Sequence, residues 1–392
     1  MILLGTLWRL LLSSFAFLQS AHSFSLQGTR GRTSRPQLTH AATEARDSAA
    51  ASDILEHRDA SPPAWLNCGL LFSSFTDGLE KNQKAKNFLR RGVVRSLLLE
   101  ARSRYEQQIE TSVLSSPCNG PDVESLGNLE RVDSALASLL KENTQDSSGN
   151  TTPDHLSSAQ QELLPLRLVY IPTALYALRR ESNNTPGKQR QRARADGKKR
   201  RNQIVNFLRR ECGVESVDAV TLDLDDASVK HIESSSSSSS SAAPTTDGQE
   251  LLDEWQPHVI YVEGGNTFWL HHCVEKGGWR ELLREYTSRP GTIYCGKSTG
   301  AIIAGTVADT AYWKGWDDPL VVPGWTDKKD ANNPRLVGLN MLGGERSIFP
   351  HMDDSWNDVV SQRRSKMDHA VELLAEDSVL CVDGTSKSVD FL

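Results

Sequence analysis

The stretch Thr292-Ile-Tyr-Cys-Gly-Lys-Ser-Thr-Gly-Ala-Ile-Ile-Ala-Gly305 constrains the fold more than any other part of the chain. Four strand-favouring residues, Thr292 to Cys295, run into a turn, and a run of small helix-compatible residues follows. This is the layout of a nucleophile elbow, in which a strand ends, the chain turns sharply and a helix begins. Gly296 and Gly300, two before and two after Ser298, let the backbone turn without Cβ clashes. A serine so placed stands at the C-terminal edge of a sheet, where ligands of open α/β folds bind. A backbone N–H beside it, at a helix start, can stabilise an oxyanion. Taken alone, the same letters also fit an ordinary strand-to-helix turn with a serine N-cap.

A competing motif overlaps the elbow. Gly291-Thr-Ile-Tyr-Cys-Gly-Lys-Ser298 matches G-x-x-x-x-G-K-[ST], the phosphate-cradling loop. That loop needs a strand before its first glycine. Here Trp279 to Tyr286 is helix-like, Pro290-Gly291 is a turn, and the four middle positions are the strand itself. The nucleotide reading is therefore rejected.

The rest of the chain alternates in the same way. Gly69 to Phe75, Leu166 to Pro172, Glu215 to Leu224, His258 to Glu263, Ser347 to His351 and Ser378 to Gly384 read as strands. Leu89, Val93, Leu97 and Ala101 recur every fourth residue, predicting a long amphipathic helix from Glu80 to about Glu110. Helical patterning returns at Asn202 to Glu211 and at Arg363 to Leu374. Strands separated by helices predict a mostly parallel sheet covered on both faces. Three segments read as insertions, 115–160, 179–200 and 228–252, the last holding eight consecutive serines from Ser234 to Ser241. Residues 115–160 hold one weak helix, Val132 to Leu140. Arg179 to Arg201 carries ten Lys and Arg and reads as a loop, whose plainer explanation is solvation and whose functional one is an anionic partner.

At 392 residues and 38 % apolar, the chain can bury one large α/β core. A net charge of −6 argues against general nucleic-acid binding. Its six cysteines show no C-x-x-C pairing and no histidine spacing suited to zinc, so neither a metal nor a cofactor is expected. The first acid is Glu44. Before it, Arg9, the apolar run Leu10 to Leu18 and the small residues Ala21 and Ser23 read as a secretory signal cleaved before Phe24. Ser25 to Thr43, with Arg30, Arg32 and Arg35, has transit-peptide composition, and the pair resembles a bipartite plastid leader. Plain secretion and a mitochondrial presequence remain the alternatives. Residues 1–63 are set apart as leader and linker, and 64–392 as one domain with no membrane span expected in the mature form.

In a parallel sheet Ser298, His351, Asp383 and the Gly264-Gly265 turn all follow strands and so share one edge. A serine hydroxyl needs a base, and a histidine oriented by a carboxylate supplies one. His351 stands out because Pro350-His351 ends an apolar strand, whereas His271, His272 and His369 fall in helical segments.

Together Glu263-Gly-Gly-Asn-Thr-Phe268, Gly296-x-Ser-x-Gly-Ala301, Phe349-Pro-His351 and Val382-Asp-Gly384 resemble the dipeptidase E and cyanophycinase family of serine peptidases, with the first string nearer the aspartyl dipeptidase branch. The resemblance covers roughly residues 66–392 and implies a three-layer, flavodoxin-like fold related to class I glutamine amidotransferases. It implies Ser298 as nucleophile, His351 as base, Asp383 as third member, Gly265 and Thr299 as oxyanion-hole donors and Asn266 beside the substrate. It further implies release of N-terminal aspartate from short peptides, with Arg363 or Arg364 holding the aspartate side chain. Lys297 replaces an aromatic residue, Thr299 an alanine, and Asp383 a glutamate, and only nine residues follow Asp383. Those departures motivate a second expectation, a weakened member acting as a binding or regulatory protein.

Overall fold

The computed structural model describes residues 64–115, 123–142, 164–225, 247–325 and 335–392. The leader, the serine tract and residues 326–334 lie outside the described residues. The strands are β1 (Cys68–Phe72), β2 (Leu166–Ile171), β3 (Val217–Thr221), β4 (Val259–Val262), β5 (Ile293–Lys297), β6 (Arg346–Phe349), β7 (Ala370–Leu373), β8 (Val379–Asp383) and β9 (Ser388–Phe391). Seven of them form one sheet in the order β3-β2-β4-β5-β1-β8-β9. The first five are parallel, whereas β8 runs antiparallel to β1, and β9 antiparallel to β8. β6 and β7 pair in parallel as a separate small sheet.

Strand periodicity divides the core in two. Successive residues point to opposite faces, so Leu70, Phe72, Leu168, Tyr170, Tyr261 and Cys295 fill one core. Their neighbours Leu71, Val169, Ile171, Ile260, Val262 and Tyr294 fill the other. On the first face lie α1 (Gln83–Ser115), with α2 (Val123–Glu142) packed against it, and α3 (Pro186–Cys212). On the second lie α4 (Asp247–Trp255), α5 (Thr267–Lys276), α6 (Trp279–Ser288) and α7 (Thr299–Ala304). The arrangement is the expected three-layer α/β fold. Leu89, Val93 and Leu97 of α1 are all within 1 % of complete burial, as their spacing requires. Each such side chain contributes roughly 1.5–3 kcal/mol by leaving water.

Several elements differ from the sequence reading. The basic segment is no loop, because α3 begins at Pro186 and carries all its Lys and Arg residues from Lys188 onward. Pro at the first helical position and a run of Lys, Arg, Gln and Ala favour helix whatever their polarity. The weak helix is the longer α2, anchored by Val132 and Leu139 against Val94 and Leu98 of α1. The expected helix from Arg363 to Leu374 is divided. A short helix ends at Arg364, and Ala370 to Leu373 pair with β6, where Val371 is buried. Ser388 to Phe391, to which the sequence reading assigned no element, form the edge strand β9.

After β2 the chain passes outward to β3, then returns to the other side of β2 with β4 and β5. Such a reversal opens a crevice at the carboxyl ends of the strands, and the site lies along that edge.

Candidate active site

β5 delivers Ser298 to this edge. Ser298 has φ 48° and ψ −103°, a conformation that costs a non-glycine residue energy and that the surrounding structure must hold. It is held by its own N–H, which donates to Phe72 O at 2.7 Å, and by its C=O, which accepts from Ala301 and Ile302 in α7. The turn also needs Gly300: a Cβ there would lie 2.4 Å from Val262 O. The strained elbow expected from the sequence is therefore present.

The Ser298 hydroxyl lies 2.8 Å from His351 Nε2. His351 follows β6, so it comes from the small sheet and not from the main one. Its other nitrogen, Nδ1, lies 2.5 Å from Glu376 Oε1. A carboxylate at Nδ1 keeps the proton on that nitrogen and turns the Nε2 lone pair toward Ser298. Trp316, 61 % exposed, covers the imidazole with ring centroids 5.7 Å apart.

Asp383 is not the third member. β8 is antiparallel to β1, so its last residue pairs with the first residue of β1, Cys68, which also pairs with Ile293 at the start of β5. Ser298 stands five residues beyond Ile293, or roughly 16 Å along the strand. At the far edge, Asp383 Oδ1 accepts the Thr385 N–H at 2.9 Å and caps the β8–β9 turn. The same reversal brings the residues before β8 to the catalytic edge, and Glu376 is among them.

The other expected site residues behave differently from one another. Thr299 is buried, and its hydroxyl donates to Gly265 O at 2.7 Å while accepting the Gly265 N–H at 3.2 Å. The Gly265 N–H thus already has a partner and can serve an oxyanion only by exchanging it. A Cβ at Gly265 would lie 2.3 Å from Ala174 O, so only glycine lets these backbones meet. Asn266 is a structural residue: its Oδ1 caps α5 by accepting the Trp269 N–H, and its Nδ2 donates to Asp318 O. With the Thr267 N–H donating to Asp317 Oδ2 at 2.8 Å, it fastens the 316–318 loop that presents Trp316. Burial raises the Asp317 carboxyl above its usual range. Arg363 and Arg364 lie exposed at the C-terminal end of their helix, two turns beyond its start near the site.

Lys297 is not a free cation beside the nucleophile. Its ammonium lies 2.7 Å from Oε1 of Glu263, which is 1 % exposed and also meets Arg200 at 3.2 Å and the Tyr170 hydroxyl at 3.1 Å. With the Gly264 N–H also donating to Oε1 at 3.0 Å, this buried carboxylate has four partners and is a satisfied one. Sequence reasoning missed Glu376, Lys314, Trp316 and Ser73. Only Glu376 had a local signal, an acid just before the last apolar strand. Among the described residues no group of His, Cys, Asp and Glu could hold a metal ion, and no helix is long and apolar enough to cross a membrane.

Residues 227–389, which hold the elbow, His351 and Glu376, match peptidase family S51. The match shows that this part of the chain, somewhat less than half of it, is similar to that family. The likeness supports a serine peptidase, a hydrolase of peptide bonds. The match leaves out β1, β2 and β3, although the resemblance read from the sequence extended over them. A search of curated proteins found no match. Among solved structures, a Listeria monocytogenes EGD-e protein described as a peptidase E is similar at 19 % identity, covering 60 % of this chain and 91 % of that one, with a TM-score of 0.33. A peptidase from an acI-B1 Actinobacterium is similar at 12 % identity over 82 % and 84 % of the two chains, with a TM-score of 0.34.

Proposed function

We propose that the chain is a serine exopeptidase of short peptides that works through Ser298, His351 and Glu376, with N-terminal aspartyl dipeptides as substrates. The observation that carries this reading is the continuous chain of two short contacts, Ser298 Oγ to His351 Nε2 and His351 Nδ1 to Glu376 Oε1. His351 Nε2 takes the hydroxyl proton as Ser298 Oγ attacks the peptide carbonyl. The imidazolium then gives that proton to the leaving amine, which departs from an acyl-serine. Water, deprotonated by the same nitrogen, cleaves the acyl-enzyme and restores the hydroxyl. Glu376 fixes the tautomer and stabilises the imidazolium formed in each half-reaction. Backbone N–H groups of Thr299 and Gly265 are the candidate donors to the carbonyl oxygen.

Preference for an acidic substrate draws support from charge rather than from Arg363 or Arg364. The basic helix α3 reaches the catalytic edge, because its Arg200 contacts Glu263 at the end of β4. Cationic surface there favours approach of an anionic peptide. Two of the departures that motivate a weakened binding protein count less, since Lys297 and Thr299 are held by Glu263 and Gly265 and neither displaces the Ser298–His351 pair. A β-aspartyl substrate of the cyanophycinase kind is tested alongside.

The test is a panel of Asp-X, β-Asp-X, Asn-X and neutral dipeptides, with wild type, Ser298→Ala, Arg363→Met and Arg364→Met. Ser298-dependent hydrolysis of Asp-X above Asn-X is expected. Equal cleavage of Asp-X and Asn-X removes the acidic-substrate assignment, and cleavage of β-Asp-X alone transfers it.

A further inference from the structure

His351 has φ 55°, a left-handed backbone that a residue with a side chain adopts at a cost. Both of its backbone polar groups are gripped from other elements. Its N–H donates to Ser73 Oγ at 2.7 Å, and Ser73, fully buried at the end of β1, donates in turn to Leu374 O at 3.0 Å. Its C=O accepts a hydrogen bond from the Lys314 ammonium. Lys314 ends a one-turn helix, α8 (Ala311–Lys314), which follows the nucleophile's own helix in the chain. The Lys314 nitrogen lies 4.2 Å from the ring centroid of Trp316, 4.6 Å from that of Phe349 and 4.7 Å from that of Trp356. Phe349 and Trp356 bracket His351 in sequence, and Trp316 covers its imidazole. One cation thus joins the backbone of the base to the three rings around it. An ammonium over several aromatic faces is held more tightly than over one.

We propose that Lys314 is a positioning residue for the catalytic base, its ammonium holding the His351 carbonyl within an aromatic cage so that Nε2 stays aimed at Ser298 Oγ. This rests on the serine-peptidase reading of the site. The ionisable groups facing the ammonium are Asp353 and Glu376, which both favour its charge, and His351 itself. Burial outweighs them and lowers Lys314 to about 8. The ammonium is therefore present below pH 8 and gives way to the neutral amine above it, which weakens the cage and the bond to His351 together. Wild-type kcat falls on an alkaline limb near that pH.

The experiment compares wild type, Lys314→Met and Lys314→Arg, with Ser298→Ala as the blank. Lys314→Met lowers kcat about 10- to 100-fold, in proportion to loss of a charged hydrogen bond and its cation–π contacts, with KM within about twofold. Its profile has no limb near pH 8. Lys314→Arg restores most of kcat and carries the limb beyond pH 10, because a guanidinium stays charged there. Independently of turnover, the downfield proton resonance of His351 Nδ1–H bonded to Glu376 is retained in wild type and Lys314→Arg and lost in Lys314→Met. An unchanged kcat and unchanged resonance in Lys314→Met overturn the proposal. Should Lys314→Met not fold, a limb still near pH 8 in Lys314→Arg overturns it. Absence of Ser298-dependent hydrolysis in wild type would count against the peptidase reading, and the resonance would still decide the clamp.

Discussion

Replacing Glu376 by Gln and Asp383 by Asn separates two candidate third members by one change of atom each. Glu376 Oε1 lies 2.5 Å from His351 Nδ1, but its side chain is 55 % exposed. A hydrogen bond to a charged group is worth about 1.5–3 kcal/mol, and exposure and salt reduce that for a half-solvated carboxylate to about 1–2 kcal/mol. At 1.36 kcal/mol per tenfold, Glu376→Gln lowers kcat about 5- to 30-fold with little change in KM. The amide can also present its N–H₂ to Nδ1 and stabilise the wrong tautomer, which places the loss at the upper end. Asp383→Asn leaves kcat within twofold, because its carboxylate accepts from Thr385 at the opposite edge. Steady-state hydrolysis of a dipeptide at saturating concentration, corrected for active-site content, reads both effects. A larger loss in Asp383→Asn than in Glu376→Gln would refute the strand-polarity argument on which the assignment stands.

Two further outcomes follow from packing and charge. Gly300→Ala puts a Cβ 2.4 Å from Val262 O, so the chain loses about 2 kcal/mol or more of stability, read as a lower urea midpoint, together with most activity. Glu100, paired with His258 at 2.6 Å and Arg167 at 2.9 Å, is lowered from 4.5 to about 2 by those hydrogen bonds, which prevail over the opposing effect of burial. A depressed carboxyl gives stability that is present above pH 4.5 and lost as pH falls toward 2. Discounted for partial exposure, that is about 2 kcal/mol. Unfolding of Glu100→Gln followed from pH 6 to pH 2 should therefore show a flatter decline than wild type.

The Ser298–His351 pair was legible because its signals are local. Ser298 sits between two glycines at a strand-to-helix turn, and His351 ends an apolar strand, so each could be placed from a dozen neighbouring residues. The acid beside His351 was not, because its position depends on strand direction. An acid after an apolar run reads the same whether β8 lies parallel or antiparallel to β1, yet the two directions put Asp383 on opposite edges. Glu376, in the turn before that strand, becomes visible only once the direction is known. The basic segment was misread for another reason. Lys and Arg signal solvent, but they are also good helix formers, and Ile204, Phe207 and Leu208 bury the far end of α3 and set its conformation. At Ala370 to Leu373, pairing with β6 overrode a short apolar run that fits helix as well as strand. Lys314 and Trp316 could not be found by pattern, since their role depends on Phe349 and Trp356 arriving from a different part of the chain.

The central claim is that Ser298 is a nucleophile activated by His351, and the most direct measurement is mass analysis of the chain after reaction with a fluorophosphonate. The account predicts a single adduct on the peptide carrying Ser298, formed at least 10³-fold more slowly in His351→Ala, on the order expected for removal of a general base, and absent in Ser298→Ala. An adduct on another residue, or a labelling rate at Ser298 that His351→Ala leaves unchanged, would contradict it.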